Sequence, residues 1–231
     1  MQLLIHASPE RLWYVEGFLI PELLRQGLRE DEVDVWLDGR NGERRGNLLS
    51  CMDSFAARKG EGAEGTWHIQ DDVLPCRDFV QQCQAHGDGV VYGFCCEQFR
   101  DDPAQTGFVY PADMWHSFQC LRIPDELARE CAAWFFEYAS REPMYYENTK
   151  TGKMDDSFFH EFMETKHAAD RVYNLRPCLV EHVDRLIGGS LLNEWREYWA
   201  RAMWFDESRV DELREWLRDR PGLFPARRGA L

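Results

Sequence analysis

At residues 67–75 the chain reads Trp67-His68-Ile69-Gln70-Asp71-Asp72-Val73-Leu74-Pro75, an apolar run that stops at two adjacent carboxylates. Two acidic side chains at the end of a strand are unfavourable in a hydrophobic core, because burying an unpaired charge costs free energy. They suit a divalent cation instead, and such a cation commonly binds phosphate groups as well. We therefore predict that Asp71 and Asp72 stand at the carboxyl end of a strand, where a metal-bound diphosphate would lie.

Three other strands are predicted from short runs of apolar and β-branched residues, at residues 3–7, 33–38 and 89–95. Helix-compatible segments separate these runs, and this alternation is typical of a parallel sheet with right-handed crossovers. We therefore predict an α/β fold with a mostly parallel central sheet flanked by helices, Rossmann-like in its N-terminal half. A Trp-rich segment from residue 191 onward predicts a helical C-terminal extension.

Polar residues also follow the ends of the first two strands. Ala7 and Ser8 end the first strand, and Asp38 ends the second. Because ligands of open α/β sheets bind beyond the carboxyl ends of the strands, we expect these residues and the two aspartates to share one site. Asp38 offers acceptor oxygens to a ribose or a base, Asn47 adds an amide contact, and Arg11 is a candidate for a phosphate contact.

A second pair of carboxylates, Asp155 and Asp156, opens a predicted helix with a Phe-rich apolar face. Acidic residues are favoured in the first turn of any helix by the helix dipole, which is a sufficient structural explanation. The functional alternative is that one of them accepts the proton of an attacking hydroxyl group as a general base. We prefer Asp156 for this role, with Asp155 next.

His182 follows the apolar segment Cys178-Leu179-Val180 and precedes the glycine-rich stretch Gly188-Gly189-Ser190. A neutral imidazole at this position can complete the ligand set of a metal ion, and the glycine-rich loop can approach a phosphate closely. The alternative interpretation is a histidine that is satisfied by local hydrogen bonds. The sequence leaves both open.

The net charge of the chain limits the classes of partner that it is expected to bind. The chain has 231 residues, with 41 acidic against 27 basic residues and a formal charge of −14. Such a charge repels nucleic acid and anionic lipid on average, although a basic cluster at Arg40, Arg44 and Arg45 leaves room for DNA. No apolar run approaches the roughly 20 residues that span a bilayer, so we expect no membrane span and a cytoplasmic location.

The eight cysteines show no paired CxxC spacing. We therefore expect free thiols rather than a disulfide framework. The nearest approach to a zinc ligand set in sequence is Cys76, Cys83 and His86, which has no matching downstream pair.

Taken in order, these motifs resemble the glycosyltransferase A-type nucleotide-diphospho-sugar transferases, and in particular their small stand-alone bacterial and phage members. In the N-terminal half the resemblance is carried by residues 5–11, 35–38, 42–47 and 68–75. It continues at Asp156 with Phe159 and at residues 177–182 with Ser190. The resemblance spans residues 2–192, and the remaining C-terminal residues match nothing in that family.

The resemblance implies that Asp71 and Asp72 bind Mn²⁺ or Mg²⁺ together with the diphosphate of a donor, and that His182 supports the same metal. The commoner motif of the family is Asp-x-Asp, whereas this chain has a contiguous pair. The division of labour between the two aspartates therefore stays open, and Gln70 is a further candidate.

For the nucleotide, the resemblance implies that Ala7, Ser8 and Asp38 hold the donor. Residues 1–192 would then form the catalytic domain, with a nucleotide-binding half at 1–100 and an acceptor half at 101–192. Residues 193–231 would form the helical extension. The sequence does not predict the oligomeric state.

Our first hypothesis is a metal-dependent glycosyltransferase that moves a hexose from a uridine diphosphate sugar to an acceptor hydroxyl. The acceptor would be a glycan or, as in phage-like members, a hydroxymethylated pyrimidine in DNA. Inversion is favoured if Asp155 or Asp156 is the base, and a retaining reaction stays open. The alternative from another class is a non-catalytic module that binds a sugar nucleotide or a glycan.

Two other enzyme classes are weaker interpretations. A sugar-phosphate nucleotidyltransferase needs a glycine-rich signature with a basic residue after the first strand, and Ser8-Pro9-Glu10-Arg11 does not supply it. A carboxylate-based nuclease is more remote still. It would cleave nucleic acid rather than release a nucleotide.

Overall fold

The structure is a computed structural model that describes residues 1–39, 44–61, 64–94, 108–110, 118–141, 155–167, 170, 172–175, 177–188 and 205–220, with the backbone alone at 44–47, 108–110, 139–141, 155 and 157. Its strands are β1 (Gln2–Ala7), β2 (Val33–Leu37), β3 (Gly65–Gln70), β4 (Val73–Pro75), β5 (Val90–Tyr92), β6 (Phe108–Tyr110), β7 (Cys120–Pro124), β8 (Val172–Asn174) and β9 (Val180–His182). Its helices are α1 (Leu12–Tyr14), a π-helical turn (Val15–Leu19), α2 (Ile20–Arg25), α3 (Arg44–Ala56), α4 (Phe79–Ala85), α5 (Asp125–Arg141), α6 (Asp155–Lys166) and α7 (Glu207–Arg218).

Seven of these strands form one sheet in the order β2-β1-β3-β7-β5-β8-β6. The pairs β1–β2, β1–β3 and β5–β8 are parallel, whereas β7 is antiparallel to both of its neighbours and β6 is antiparallel to β8. Most strands therefore run in one direction, and the predicted α/β fold with a mostly parallel sheet flanked by helices is confirmed. The antiparallel direction of β7 and its place between β3 and β5 were not predicted, because an apolar run specifies neither the direction of a strand nor its neighbours.

The core lies on both faces of the sheet. Leu3, Leu4 and Ile5 of β1 are all buried, as expected for a strand that helices cover on both sides. On one face Leu3 and Ile5 belong to a cluster with residues of α1, α2, α4 and α7. On the other face, residues of α3, α5 and α6 form a second cluster with side chains of β5 and β7. Among the described residues, no helix is long and apolar enough to cross a bilayer.

A two-stranded ribbon extends from the sheet directly after the two aspartates. β4 continues past Asp72 and pairs in antiparallel fashion with β9, so that Val73 lies opposite His182. The backbone N–H of Val183 donates to the carbonyl oxygen of Asp72 at 2.8 Å. Pro75 lies within this ribbon, opposite Val180. The ribbon therefore brings His182 to the aspartates across more than a hundred residues of sequence.

The C-terminal helix α7 packs against the body of the protein. Trp216 stacks on Trp13 with ring centroids 6.5 Å apart and meets Phe18 edge-on. The buried Arg209 donates to Glu22 Oε1 at 2.8 Å and to the carbonyl oxygen of Pro75 at 3.3 Å. Residues 207–218 of the predicted extension are helical, whereas residues 193–204 and 221–231 lie outside the described part of the chain.

We expect Arg209→Met to lower the free energy of unfolding by about 3 kcal/mol, because it removes one partner of a buried ion pair and leaves the Glu22 carboxylate less compensated. Urea unfolding followed by tryptophan fluorescence measures the change. The matched control is Arg214→Met on the same helix, whose half-exposed side chain pairs with exposed Asp211. We expect that variant to change the stability by less than about 1 kcal/mol. Equal stability of the two variants would contradict the prediction.

Two histidines are buried on the face of the sheet that packs against α3. His6 of β1 is 4% exposed and His68 of β3 is 0% exposed, and their rings meet edge-on. Burial lowers the pKa of His6 from its ordinary 6.5 to about 4. Burial also lowers the pKa of His68 well below its ordinary value, and the charges of His6 and Arg58 act in the same direction. Both imidazoles are therefore neutral in the folded protein at neutral pH.

A fall in pH should therefore destabilise the protein when no metal ion is bound. An unfolded histidine gains its proton near pH 6.5, whereas folded His6 resists protonation down to about pH 4, so stability is lost as the pH falls through this window. We expect His6 alone to contribute a loss of about 2 to 3 kcal/mol, and His68 to add to it. The free energy of unfolding is measured by urea titration between about pH 4 and pH 6.5, with a chelator present to remove metal ions. It should fall less steeply with decreasing pH for His68→Phe than for the wild type. His86→Gln, at an exposed site, should leave the slope unchanged.

Candidate functional site

The carboxyl ends of β1, β2 and β3 meet at one edge of the sheet. Ala7 lies opposite Leu37, and His6 lies opposite Gln70. The backbone N–H of Asp38 donates to the carbonyl oxygen of Ala7 at 2.7 Å, and the Asp38 side chain is buried. The strand ends that were expected to converge therefore do so.

Asp71 fastens the end of β3 to the turn that follows β1. Its Oδ2 accepts hydrogen bonds from the backbone N–H of Ser8 at 2.6 Å and from the Ser8 hydroxyl at 2.7 Å. Its Oδ1 accepts from Nη1 of Arg11 at 2.9 Å. Both oxygens of Asp71 are thus engaged by protein donors.

Asp72 is held differently. Its Oδ2 accepts from Nη1 of Arg11 at 2.6 Å and lies 3.1 Å from Nε2 of His182. Its Oδ1 is buried and has no hydrogen-bond partner among the described residues. A buried carboxylate oxygen without a donor is unfavourable in a folded protein and requires an explanation, such as a bound ion. The two aspartates therefore differ in what they can offer a ligand.

Arg11 lies between the two aspartates. The residue is 4% exposed, and its Nη1 bridges one oxygen of Asp71 and one of Asp72. It sits in the 3₁₀ turn Pro9–Arg11, whose last backbone N–H donates to the carbonyl oxygen of Ser8. The guanidinium thus compensates the charges of the aspartates from within the protein. Its proposed contact with a donor phosphate stays a prediction.

The charges at this site set which carboxylate stays ionised. Burial raises the pKa of Asp71, and the opposing effects of Arg11 and Ser8 do not offset it. Burial acts in the same direction on Asp72, but the charges of His182 and Arg11 and their hydrogen bonds outweigh it and hold the Asp72 pKa well below its usual range. Asp72 is therefore the carboxylate that holds its negative charge more firmly, as a metal ligand requires.

Asp184 is a site residue that the sequence analysis missed. It is buried at 2% exposure, and its Oδ2 lies 3.9 Å from Nε2 of His182. That distance is too long for a hydrogen bond, but it adds a second negative charge beside the imidazole. The spacing His-x-Asp at 182–184 was the available signal, and it acquires meaning only once the ribbon places His182 against Asp72.

The candidate bases lie at the start of α6. Asp156 is partly exposed, and its negative charge adds to the effect of burial in raising the pKa of Tyr92. Tyr92 ends β5, which runs in the same direction as β3. The start of α6 is therefore near the same edge of the sheet as the two aspartates.

Some predicted residues lie outside what the structure describes. Arg40 is not described, and the side chains of Arg44, Arg45, Asn47 and Asp155 are not described either. Their predicted contacts with a donor, an acceptor or DNA stay predictions.

The residues present fit a divalent cation at Asp72. A buried carboxylate oxygen without a donor is a ligand type that Mn²⁺ and Mg²⁺ both accept. Mn²⁺ also accepts an imidazole, and His182 would serve only as a neutral ligand, in place of its contact with Oδ2 of Asp72. Asp71 fits such an ion less well, because Ser8 and Arg11 already occupy its oxygens. The two aspartates therefore differ in their free oxygens, and their roles in binding a metal stay a prediction.

Comparisons with known proteins place the chain far from characterised sequences. No protein-family model matches it, and no curated protein matches it. Several solved structures share its general chain arrangement at low sequence identity.

Three of these structures illustrate the similarity. Residues 1–349 of TarS from S. aureus are 12% identical to this chain, with a TM-score of 0.44, covering 80% of this chain and 61% of that one. A variant of Drosophila beta-1,4-galactosyltransferase 7 in complex with manganese, UDP-Gal and xylobiose is 13% identical, with a TM-score of 0.44, covering 91% of this chain and 79% of that one. The glycosyltransferase GlyE of Streptococcus pneumoniae TIGR4 is 8% identical, with a TM-score of 0.41, covering 100% of this chain and 66% of that one. At such low scores we take neither activity nor substrate from them.

Proposed function

We propose that this chain is a metal-dependent glycosyltransferase of the A type, which transfers a sugar from a nucleoside diphosphate donor to an acceptor hydroxyl. The observation that carries the proposal is the buried, unpartnered Oδ1 of Asp72 beside His182, at the carboxyl edge of the sheet. A nucleoside diphosphate needs a cation where its leaving group gains charge, and this edge is where α/β sheets bind nucleotides. The sequence resemblance over residues 2–192 supports the same assignment.

In this proposal Asp72 and His182 would hold Mn²⁺ or Mg²⁺ beside the donor phosphates. The metal would neutralise the diphosphate as it leaves. Asp71, fixed by Ser8 and Arg11, shapes the wall of the donor site, and Asp38 and Ala7 face the nucleoside. Asn47 would add an amide contact to the donor.

The chemical step requires a base for the acceptor. The acceptor oxygen attacks the anomeric carbon, the bond from that carbon to the diphosphate oxygen breaks, and the diphosphate leaves with the electron pair. Asp156, or Asp155 as the alternative, would take the proton of the acceptor hydroxyl. This arrangement gives inversion at the anomeric carbon.

For the substrates, we propose a uridine diphosphate sugar as donor and a glycan as acceptor. The formal charge of −14 disfavours DNA, although a hydroxymethylated pyrimidine in DNA is the second acceptor to test. We further propose a cytoplasmic location, a catalytic domain at residues 1–192 with its nucleotide-binding half at 1–100, and an appended helical segment at 193–231.

The test is donor hydrolysis. The protein is incubated with a panel of nucleotide sugars with and without Mn²⁺, and released nucleoside diphosphate is measured. Metal-dependent release from one donor supports the proposal. Binding of a glycan or of uridine diphosphate, seen as a thermal shift without any release or transfer, would identify a non-catalytic module and refute it.

We expect Asp156→Asn to reduce transfer to an acceptor by about a hundredfold or more, because an amide cannot take the hydroxyl proton. Binding of the donor, followed as a Mn²⁺-dependent thermal shift with uridine diphosphate, should be unchanged. Glu164→Gln, on the exposed side of the same helix, is the matched control and should transfer at the wild-type rate. If the Asp156 variant transfers at the wild-type rate, Asp156 is not the base. Asp155 or a residue outside this helix would then take the proton.

A further inference from the structure

A second group of metal-ligand side chains lies beneath the sheet, on the face that packs against α3. It consists of His6 from β1, Cys51 from α3 and His68 from β3. One ligand atom of each residue lies within 4.8 Å of the ligand atoms of the other two. His6 is 4% exposed, and the other two residues are 0% exposed. Three separate elements thus direct side chains that bind metals to one buried point.

His68 is the member of the group that packing does not explain. Neither of its ring nitrogens has a hydrogen-bond partner among the described residues, and both are buried. Phe55 and Phe118 contact the ring, with centroids 5.7 and 6.1 Å away, but these contacts satisfy the carbon surface and not the nitrogens. A neutral imidazole carries one N–H and one acceptor nitrogen, so leaving both unpaired costs stability. A bound ion would remove that cost.

Two neighbouring residues, Ser50 and Arg58, interact with members of the group. Nε2 of His6 lies 2.9 Å from the Ser50 hydroxyl, the kind of contact that orients a metal-binding imidazole through its other nitrogen. The buried Arg58 interacts electrostatically with Cys51. Arg58 also disfavours protonation of His68, which keeps that imidazole neutral.

The donor set selects the class of ion. Two imidazoles and one thiolate suit zinc, whereas Mn²⁺ and Mg²⁺ prefer oxygen ligands and bind a thiolate poorly. A tetrahedral zinc ion would need one more ligand, for which water is a candidate. The ligands are buried, so the ion would enter as the chain folds.

We propose that His6, Cys51 and His68 form a structural zinc site, separate from the site at Asp72 and His182, that ties α3 to β1 and β3. The site stabilises the sheet directly behind the strand ends that carry Ser8 and Asp71. It does not depend on the proposed transferase activity.

The test uses the full chain and measures the metal directly. Protein refolded with Zn²⁺ and passed through a desalting column should retain about one zinc per chain, and its melting temperature should exceed that of protein refolded in chelator. Refolding with Co²⁺ should give the charge-transfer absorption of a cobalt–thiolate bond in the near ultraviolet. Wild-type protein that retains no zinc and shows no cobalt–thiolate absorption would overturn the proposal.

Variants assign the ligands. Cys51→Ala should lose the cobalt–thiolate absorption, and His68→Phe, which keeps an aromatic ring among Phe55 and Phe118, should lose retained zinc. Cys131→Ala is the matched control, because Cys131 is a buried cysteine of the same core cluster outside the group, and it should keep both signals. His182→Ala should keep both signals as well, which distinguishes this site from the one at Asp72. Retention of both signals in Cys51→Ala and His68→Phe would overturn the assignment.

Discussion

Replacing Asp72 with asparagine is expected to reduce metal-dependent release of nucleoside diphosphate by about a hundredfold or more. The variant keeps the shape of the side chain and one acceptor oxygen, but it loses the negative charge of the carboxylate. A neutral amide oxygen binds a divalent cation far more weakly than a carboxylate does. The measurement is donor hydrolysis at a series of Mn²⁺ concentrations, with the enzyme kept well below its melting temperature.

A loss of protein stability must be distinguished from a loss of metal-dependent release, because Asp72 is also an ion-pair partner of Arg11. Asp71→Asn is the informative comparison: it removes the other partner of Arg11 and a bond to Ser8, yet leaves Oδ1 of Asp72 in place. We expect Asp71→Asn to lower stability and to keep its response to Mn²⁺. Asp78→Asn, at an exposed site nearby, controls for loss of charge alone. Wild-type release by Asp72→Asn would remove Asp72 from the metal site.

The largest loss of stability is expected for Arg11→Met, at about 4 kcal/mol. The guanidinium is the protein cation that bridges Asp71 and Asp72, and without it two buried carboxylates stand next to each other. Part of the loss should be recovered by Mn²⁺, because a bound cation replaces the missing charge. Mn²⁺ should therefore raise the melting temperature of the variant by more than that of the wild type.

Arg29→Met is the matched control for this prediction. Arg29 also pairs with two acidic residues, Asp31 and Glu32, but its side chain is 67% exposed. Solvent screens such pairs, so we expect a loss below about 1 kcal/mol and no effect of Mn²⁺. If Arg11→Met unfolds with the same free energy as Arg29→Met, the buried carboxylates do not depend on Arg11.

The local sequence was enough to predict the strands that end at the site. The runs at β1, β2 and β3 are short, apolar and followed at once by polar residues, and this combination specifies both the strand and its end. The convergence of Ala7, Ser8, Asp38 and Asp71 then follows from the parallel arrangement, because parallel strands end at one edge.

Other features depend on pairings between distant parts of the chain. The position of β7 between β3 and β5 brings together strands separated by long segments, and no local pattern records which neighbour an apolar run will choose. The contact of His182 with Asp72 requires the β4–β9 ribbon, and the group of His6, Cys51 and His68 requires α3 to pack across β1 and β3. In the sequence these three residues look like ordinary members of a strand or a helix.

By itself, the sequence determined that this chain is an α/β protein with acidic residues at the ends of its parallel strands. The apolar runs that form strands, and the polar residues that end them, are patterns of only a few neighbouring residues. Only the tertiary structure decided which aspartate oxygen lacks a donor, which imidazole contacts Asp72 and where Arg11 places its charge. Those outcomes depend on the burial of charged groups and on contacts between groups far apart in sequence, and both form only when the chain folds.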